Sequence, residues 1–242
     1  MNTQNKPPKR KPLHGIFTAV PNRYDLINRI MTLGLDEHWR NKTAVKCLEG
    51  YPVRVLDLCC GTGDLTLRIA RKTPHKAIIC GLDYSMPMLQ VALNKAEDLK
   101  DGAQVSFIYG DVTNLPFPDN HFDTAGISFA FRNLTYKNPL SQRYLEEIVR
   151  ILKPGGKFVI VETSQPRNSL IRKLFHLYLR WFVFPVGYLI SGNRGAYKYL
   201  TESAARYYSP PEIEQLLTGT GFSKVTCFPL LFGATAIYVA EK

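Results

Sequence analysis

Cysteines are few in this sequence, and their spacing excludes two kinds of site. The chain has five cysteines in 242 residues, and no two of them form a C-x-x-C pair. Structural zinc centres and dithiol redox motifs need that spacing, so neither is predicted. The five histidines also lack the spacing of metal ligands, and no metal site is expected. Unpaired cysteines fit a reducing compartment, so we expect a cytoplasmic protein.

Long hydrophobic runs are absent as well. The longest uncharged apolar run is Trp181 to Ile190, which has ten residues. A membrane-spanning helix needs about 20. The first residues also lack the apolar segment and the small-residue cleavage site of a signal peptide. The sequence therefore predicts a chain that can lie peripherally on the inner face of a membrane without crossing it.

Acidic residues are scarce relative to basic ones. There are 31 Lys and Arg against 20 Asp and Glu, which gives a net charge of +11. Such a balance favours an anionic partner, either a phospholipid surface or a nucleic acid, and charge alone does not choose between them. The first twelve residues hold three prolines and no acid. We expect residues 1–14 to form a disordered basic tail and residues 15–242 to form one domain.

What the sequence has instead is an alternation of apolar β-branched runs with helical patterns, which predicts an α/β fold with a mostly parallel sheet. Lys153 to Gly156, KPGG, predicts a helix stop and a turn. The predicted strands are 53–58, 77–83, 105–111, 122–128 and 157–162, followed by two more near 223–229 and 234–242. The predicted helices are 65–72, 86–99, 142–152 and 210–222.

Two segments fall outside this alternation. Residues 22–33 predict an amphipathic helix in front of the first strand, and residues 166–209 predict a helical lid inserted into the sheet pattern. At 100° per residue the lid helix has two faces. One carries apolar side chains (Leu170, Leu174, Leu177, Trp181) and the other carries basic ones (Arg172, Lys173, His176, Arg180). The pattern favours a core helix, a channel for a lipid tail or shallow docking on a membrane, and it leaves the three open.

The first predicted strand ends in a short acidic turn, VLDLCCGTGDLT (55–66). Gly61 and Gly63 permit positive φ angles and a close approach of backbone to a ligand. A dinucleotide-binding loop would have a third glycine at position 66, where this chain has Thr66. Asp57 and Asp64 flank the turn and would repel a pyrophosphate. They favour a ligand with a cationic amino-acid portion, such as S-adenosylmethionine.

Two further acids stand at the ends of the next two strands. Asp83 ends the second strand, where a carboxylate accepts hydrogen bonds from the hydroxyls of a ribose, and Asp111 ends the third, where it can contact an adenine amino group. Together with the glycine loop and the KPGG turn, these positions predict a Rossmann-like class I methyltransferase. That fold has seven mostly parallel strands, one of which is antiparallel.

Several motifs outside this half resemble the ubiquinone and menaquinone biosynthesis C-methyltransferase family, and the resemblance runs from about residue 17 to near the end of the chain. The cofactor motifs are shared by many methyltransferases, whereas the N-terminal and lid motifs are more specific. The segments that carry the resemblance are YDLINRIMTLGLDEHWR (24–40), LDLCCGTGDLT (56–66), LPFPDNHFD (115–123), ISFAFRNLT (127–135), RILKPGGKF (150–158) and YKYLTESA (197–204).

The resemblance implies methylation of a ring carbon of a polyprenyl quinol with S-adenosylmethionine as cofactor. It also implies contacts at matching positions: Thr62, Asp83, Asp111, Val112 and Ser128 on the cofactor, Arg132 and Asn133 on the quinol. The chain departs from the family pattern in two places. Cys59 and Cys60 replace small residues before the glycine loop, and Ala130 and Phe131 replace a glycine-aliphatic pair, a change that could reshape the ring pocket.

These positions suggest a mechanism without a metal. Arg132 would stabilise negative charge on a ring oxygen, because a guanidinium stays protonated and cannot act as a base. Asn133 would hold the second ring oxygen, and Tyr24 would close the site from the N-terminal helix.

Other interpretations remain open at this point. The acceptor could be another lipophilic or phenolic small molecule, and the ring could be a naphthoquinol or a benzoquinol. A nucleic-acid methyltransferase is not favoured, because SFAFRN stands where many base-amino methylases have an N/D-P-P-Y motif. A non-catalytic adaptor that retains the fold and a homodimeric state are also open.

Overall fold

Seven strands form a single sheet in the computed structural model, which describes residues 21–73, 76–99 and 104–242, with side chains from residue 25 onward. The predicted disordered tail, residues 1–14, lies outside the described residues. The strands are β1 (Arg54–Leu58), β2 (Ile78–Asp83), β3 (Gln104–Tyr109), β4 (Phe122–Ser128), β5 (Leu152–Thr163), β6 (Lys224–Leu230) and β7 (Thr235–Glu241).

The sheet has the order β3-β2-β1-β4-β5-β7-β6. Strands β1 to β5 pair in parallel, and β7 pairs antiparallel with both β5 and β6. The predicted fold class, with seven strands and one antiparallel member, is therefore confirmed. Because β1 lies between β2 and β4, the strand order reverses beside the loop after β1, which is where open α/β sheets bind their ligands.

Ten α-helices, one π-helical turn and one short 3₁₀ helix (Leu231–Gly233) belong to the described part of the chain. Apart from the 3₁₀ helix, they are α1 (Pro21–Met31), α2 (Leu35–Leu48), α3 (Asp64–Lys72), α4 (Met86–Ala96), α5 (Phe131–Thr135), α6 (Ser141–Ile151), α7 (Ser169–Tyr178), the π turn (Leu179–Val183), α8 (Phe184–Ser191), α9 (Arg194–Ala205) and α10 (Pro210–Thr218). Helix α10 begins with a capping box, in which Ser209 and Glu212 satisfy each other's backbone N–H groups.

Two apolar clusters cover the two faces of the sheet. One includes Leu56 of β1 with Ile148 of α6, and the other includes Val55 of β1 with Ile69 of α3. Consecutive residues of β1 point to opposite faces, so burial on both sides requires apolar residues on both, as at Val55, Leu56 and Leu58, and Asp57 is the one acid buried within the strand.

The KPGG segment differs in part from its prediction as a separate turn before a strand. Leu152 already pairs with Phe122, and the pairing resumes at Lys157 opposite Thr124, so residues 153–156 bulge out of a strand that continues past them. Gly155 takes a φ of 73°, which explains why a glycine is suitable there.

Helix α1 and the inserted segment 169–205 pack together into one layer, which we call the roof. Their shared apolar cluster joins Ile27 and Met31 of α1 to residues of the π turn and α9. The Tyr178 hydroxyl donates to the Met31 carbonyl at 2.5 Å. A Cβ on Gly187 would lie 2.0 Å from the ring of Tyr197, so glycine is what lets α8 approach α9 so closely.

The outward face of the roof is apolar. Helix α7 has no buried residue, and the predicted apolar row faces solvent rather than the core: Leu170 is 65% exposed, Leu174 57%, Leu177 51% and Trp181 70%. Ser169–Ser191 is a helix of 23 mostly apolar residues, little of which is buried. By length and composition alone this helix is sufficient to span a bilayer, whereas the uncharged run in the sequence is shorter because Arg180 interrupts the apolar stretch.

Candidate active site

The loop between β1 and α3 is shaped by its two glycines. Gly61 has a φ of 55° and Gly63 a φ of 79°, a region that glycine adopts without the steric cost of a Cβ. A Cβ on Gly63 would also lie 2.9 Å from the Cβ of Ala92, on helix α4. The loop is thus held close to its neighbours and leads directly into the N-terminus of α3.

Asp83, at the end of β2, organises this loop. Its Oδ2 accepts from the backbone N–H of Gly61 at 2.9 Å, and its Oδ1 accepts from that of Ser85 at 2.8 Å. The residue is 7% exposed, and burial raises the pKa of its carboxyl group despite these hydrogen bonds. The backbone N–H of Tyr84 also acts on this carboxylate. Its two oxygens have about four lone pairs, so the group can still accept a hydrogen bond, for example from a ribose hydroxyl.

The other predicted cofactor residues lie around the same edge of the sheet. Asp111 is exposed beyond β3, and its Oδ1 accepts from the N–H of Thr113 at 2.8 Å. The Val112 side chain, by contrast, is buried in the core. Ser128 ends β4, adjacent to β1. The strand ends therefore bring an exposed acid, a buried acid and a hydroxyl to one crevice.

Arg40, a residue that the sequence analysis did not single out, joins helix α2 to this crevice. It is only 6% exposed. Its Nε donates to Ser128 Oγ at 3.2 Å, and its guanidinium pairs with Asp36 and lies 3.8 Å from Asp64. The guanidinium also lies over the ring of Phe129, 5.4 Å from its centroid. An Asp and an Arg four residues apart on a helix were the only local signal for this residue.

A second polar cluster ties the roof to the glycine loop. Thr62 Oγ1 donates to Asp25 of α1 at 2.8 Å, and Lys95 of α4 bonds Asp25 at 2.6 Å and Asp64 at 2.9 Å. Burial alone would raise the pKa of Asp64, but Arg40 and Lys95 together hold it below its ordinary value. The predicted Asp64 is thus already paired with cations, and α1 is fixed over Thr62.

Asp57 is the one buried acid of the loop with a pKa near neutrality. Burial raises its pKa from 3.8 to about 7, although Thr66 Oγ1 donates to its Oδ2 at 2.6 Å and opposes the shift. Between those two pH values the folded state binds more protons than the unfolded state does. The contribution of Asp57 to stability is therefore complete below pH 3.8 and is lost as the pH rises towards 7.

We expect the Asp57→Asn variant to lose this component, because an amide resembles the protonated acid and does not titrate. Its melting temperature should fall less than that of the wild type between pH 4 and pH 7, as measured by a series of thermal denaturations. Asp98→Asn, at an exposed acid, is the control and should follow the wild type. Parallel curves for Asp57→Asn and the wild type would show that Asp57 does not titrate in this window.

Arg132, the predicted catalytic cation, lies on the short helix α5 just after β4 and is 6% exposed. Glu162 of β5 accepts from its backbone N–H at 3.0 Å and lies 3.9 Å from its Nη1, which also donates to Thr163 Oγ1 at 3.3 Å. Its Nε is buried and has no partner among the described residues. The guanidinium is therefore held from one side and retains a donor for a ligand.

The structure gives fewer contacts for the two other predicted catalytic residues, Asn133 and Tyr24. Asn133 follows Arg132 on α5, is half-buried, and its carbonyl accepts from Asn138 at 2.9 Å. The backbone of Tyr24 belongs to α1, but its side chain lies outside the described residues. Among the residues that the structure describes, no three His, Cys, Asp or Glu side chains are grouped as metal ligands.

The departures from the family pattern have different surroundings. Phe131 is 1% exposed and packs edge-on against Phe158 in the core, with centroids 5.7 Å apart. Cys59 adopts a φ of 52°, and burial raises the pKa of its thiol, as do the nearby acids. Phe131 therefore packs into the core, and the Cys59 thiol stays protonated at neutral pH.

Comparison with known proteins extends over the whole chain. A model of the ubiE/COQ5 methyltransferase family matches residues 3–242. A demethylmenaquinone methyltransferase of Thermus thermophilus is 38% identical over 228 residues, which are 94% of this chain and 100% of that protein. A ubiquinone/menaquinone biosynthesis C-methyltransferase, UbiE, of Geobacter sulfurreducens is 35% identical over 237 residues, which are 97% of this chain and 90% of that protein.

Solved structures agree on the fold. A SAM-dependent methyltransferase from Aquifex aeolicus superposes with a TM-score of 0.60 over 90% of this chain and 97% of that chain, at 19% identity. The arrangement of strands around the glycine loop is therefore that of methyltransferases using S-adenosylmethionine.

Proposed function

Because the chain belongs to the ubiE/COQ5 methyltransferase family, we propose that it uses S-adenosylmethionine to methylate a ring carbon of a polyprenyl quinol, and of demethylmenaquinol in particular. The observation within the chain that carries the proposal is Arg132, a buried guanidinium with an unpartnered Nε next to the cofactor crevice. A quinol ring becomes a much stronger carbon nucleophile when it loses a hydroxyl proton, and a cation nearby favours that loss because it stabilises the anion.

The residues present fit the cofactor. Asp83 retains acceptor capacity for a ribose hydroxyl beside the N–H groups that it already binds, and the loop at Gly61 and Gly63 leaves no Cβ between backbone and ligand. Asp111 is exposed at the neighbouring strand end, where an adenine amino group can reach it. When bound, S-adenosylmethionine supplies an electrophilic methyl group on a sulfonium centre.

The chain's own residues then favour charge on the acceptor. Arg132 stabilises the developing phenolate and lowers the pKa of the bound quinol, since an adjacent permanent cation favours the anion. Glu162 keeps Arg132 in place without fully neutralising it, because two backbone N–H groups, those of Arg132 and Thr163, also donate to this carboxylate. Asn133 holds the second ring oxygen. The net reaction exchanges the ring hydrogen for a methyl group and releases one proton and S-adenosylhomocysteine.

The assay that tests this function is methyl transfer from labelled S-adenosylmethionine to two chemically reduced acceptors in detergent micelles. These are demethylmenaquinol and the methoxy-polyprenyl-benzoquinol, and mass spectrometry locates the label in the products. Carbon methylation of the naphthoquinol ring is expected. Transfer to the benzoquinol alone would change the substrate, and transfer to neither would refute a quinol methyltransferase in favour of another phenolic acceptor or an adaptor.

The proposed location is the inner face of an anionic membrane, with the roof helix Ser169–Ser191 lying in the plane of the interface. Its exposed apolar row would enter the acyl region, as in amphipathic interfacial helices. Between Glu162 and Glu202 the sequence has six Lys or Arg and no Asp or Glu, a charge pattern complementary to anionic lipid. A crossing orientation is disfavoured, because it would separate Leu179 and Val183 from their cluster with α1 and α9.

The two tryptophans of the chain make this location measurable. Trp181 is 70% exposed on the roof and Trp39 is 6% exposed in the core. Adding phosphatidylglycerol vesicles should shift the emission of the wild type to shorter wavelengths, and the shift should weaken as salt screens the basic residues. The Trp181→Phe variant keeps only the buried tryptophan and should show no shift.

A matched pair of variants distinguishes docking through the roof from nonspecific adsorption to the vesicles. Leu174→Glu places a charge in the exposed apolar row, whereas Leu93→Glu places the same charge at a 45%-exposed leucine of α4. Leu174→Glu should float with vesicles much less than the wild type, and Leu93→Glu should float equally well. Equal flotation of both variants would contradict docking through the roof.

A further inference from the structure

Two buried polar atoms at the active-site end of the sheet have no partner among the described residues, and both belong to side chains beside the proposed quinol site. One is Arg132 Nε, on a side chain that is only 7% exposed. The other is the Tyr199 hydroxyl oxygen, which is fully buried although the residue as a whole is half-buried. Proteins rarely bury polar groups unpaired, and each such group indicates a missing ligand or water.

The fold brings these two groups together from separate layers. Tyr199 lies on α9, in the roof, and Arg132 lies on α5, at the end of β4. The side-chain amide of Gln165, just after β5, donates to the carbonyl of Ala204 at 2.8 Å and ties the C-terminal end of α9 to the sheet. Arg132 is near enough to Tyr199 for its charge to lower the pKa of that hydroxyl. Both unpartnered groups therefore lie where the roof meets the sheet.

We propose that Tyr199 is a catalytic residue that donates a hydrogen bond to the quinol oxygen on which negative charge develops, beside Arg132. The inference rests on the proposed function and adds a second donor to the site. The charge of Arg132 attracts the quinol anion but does not by itself orient the ring. A hydrogen bond from the Tyr199 hydroxyl, on the roof, would fix the position of the ring oxygen. Donors placed in advance around a developing oxyanion are a large source of rate enhancement.

The hydroxyl is suited to donate a proton in a hydrogen bond and unsuited to act as a base. Burial raises its pKa above the ordinary tyrosine value, Arg132 opposes the shift, and Tyr136 adds to it. Tyr199 is therefore protonated wherever the quinol is being deprotonated. The other titratable groups near this contact of roof and sheet are Glu162 of β5, Tyr207 after α9 and His176 of α7, whose ring lies 3.1 Å from the Gln165 side chain. Lys198 and Glu202 lie on the exposed side of α9 itself.

The experiment compares the wild type with Tyr199→Phe in the micellar assay with demethylmenaquinol, across a pH series. Loss of one hydrogen bond to a charged oxygen should lower kcat by about 10- to 100-fold. It should also move the rising limb of kcat against pH upwards by about one unit, because the bound quinol loses a group that favours its anion. The dissociation constant of S-adenosylmethionine, measured by calorimetry, should not change. Tyr51→Phe, at a 74%-exposed tyrosine between α2 and β1, is the matched control and should behave like the wild type.

The outcomes distinguish the inference from the function on which it rests. An active wild type with a slower Tyr199→Phe variant and a shifted pH profile supports the inference. An unchanged rate, or a slower rate with an unshifted profile, overturns it, since a tyrosine that only supports packing would not alter the pKa of the quinol. A wild type that methylates neither quinol overturns the proposed function, and the role of Tyr199 falls with it.

Discussion

Replacing Arg132 with alanine is expected to lower kcat for quinol methylation by about 10³-fold, the largest effect of any single substitution in this site. The variant loses the permanent cation beside the ring oxygen, so the quinol keeps its proton and the ring carbon stays a poor nucleophile. The affinity for S-adenosylmethionine should remain close to that of the wild type. The hydrogen bonds that hold Asp83 and the glycine loop in place do not involve Arg132.

Two controls separate this chemistry from a loss of structure. Glu162 is 1% exposed, and removing its cation lowers stability, so melting temperatures must accompany the rates. Arg132→Lys keeps the charge without the planar guanidinium and should retain an intermediate rate. Added guanidinium ion should partly restore the alanine variant. A folded alanine variant with an undiminished rate would refute the role assigned to Arg132.

Replacing Asp83 with asparagine should weaken the binding of S-adenosylmethionine by about 10³-fold. A hydrogen bond from a ribose hydroxyl to a charged carboxylate contributes about 1.5–3 kcal/mol, and the variant loses the charge. An asparagine NH₂ group also cannot accept the N–H of Gly61, so the glycine loop loses its support. Isothermal titration calorimetry with S-adenosylhomocysteine gives the dissociation constants directly.

A ligand lacking the 2′-hydroxyl group tests whether the lost affinity comes from the ribose. The wild type should bind S-adenosylhomocysteine much more tightly than its 2′-deoxy analogue, and Asp83→Asn should bind the two almost equally. If the variant still prefers the natural ligand by the wild-type ratio, Asp83 acts by supporting the loop and does not contact the ribose.

Local patterns in the sequence predict well which residues at the strand ends share a site. The carboxyl ends of parallel strands meet at one crevice, whatever the sequence of the helices and loops that connect the strands. Asp83 and Ser128 could therefore be assigned to one site from the pattern alone. Arg40 could not, because its hydrogen bond to Ser128 spans 88 residues of the chain. No local pattern reports a contact of that separation.

The roof shows a second limit of sequence patterns. Periodicity groups Leu170, Leu174, Leu177 and Trp181 on one face, but it does not tell whether that face meets the core or the solvent. The answer depends on α1, whose apolar residues pack against the π turn and α9 instead. The role proposed for Tyr199 has the same limit, since Arg132, whose charge lowers the pKa of its hydroxyl, lies on a distant element of the chain.

Under the proposed docking, the outward apolar row of the roof would also decide whether the enzyme meets its acceptor in bulk solution or within a membrane surface. An enzyme docked through Ser169–Ser191 samples quinol by lateral diffusion within a lipid sheet, so its rate follows the mole fraction of quinol among the lipids rather than its molarity. Adding inert phospholipid at constant total quinol then slows turnover, whereas adding more vesicles of the same composition does not. Apparent affinities for the quinol carry meaning only when they are expressed per unit of surface.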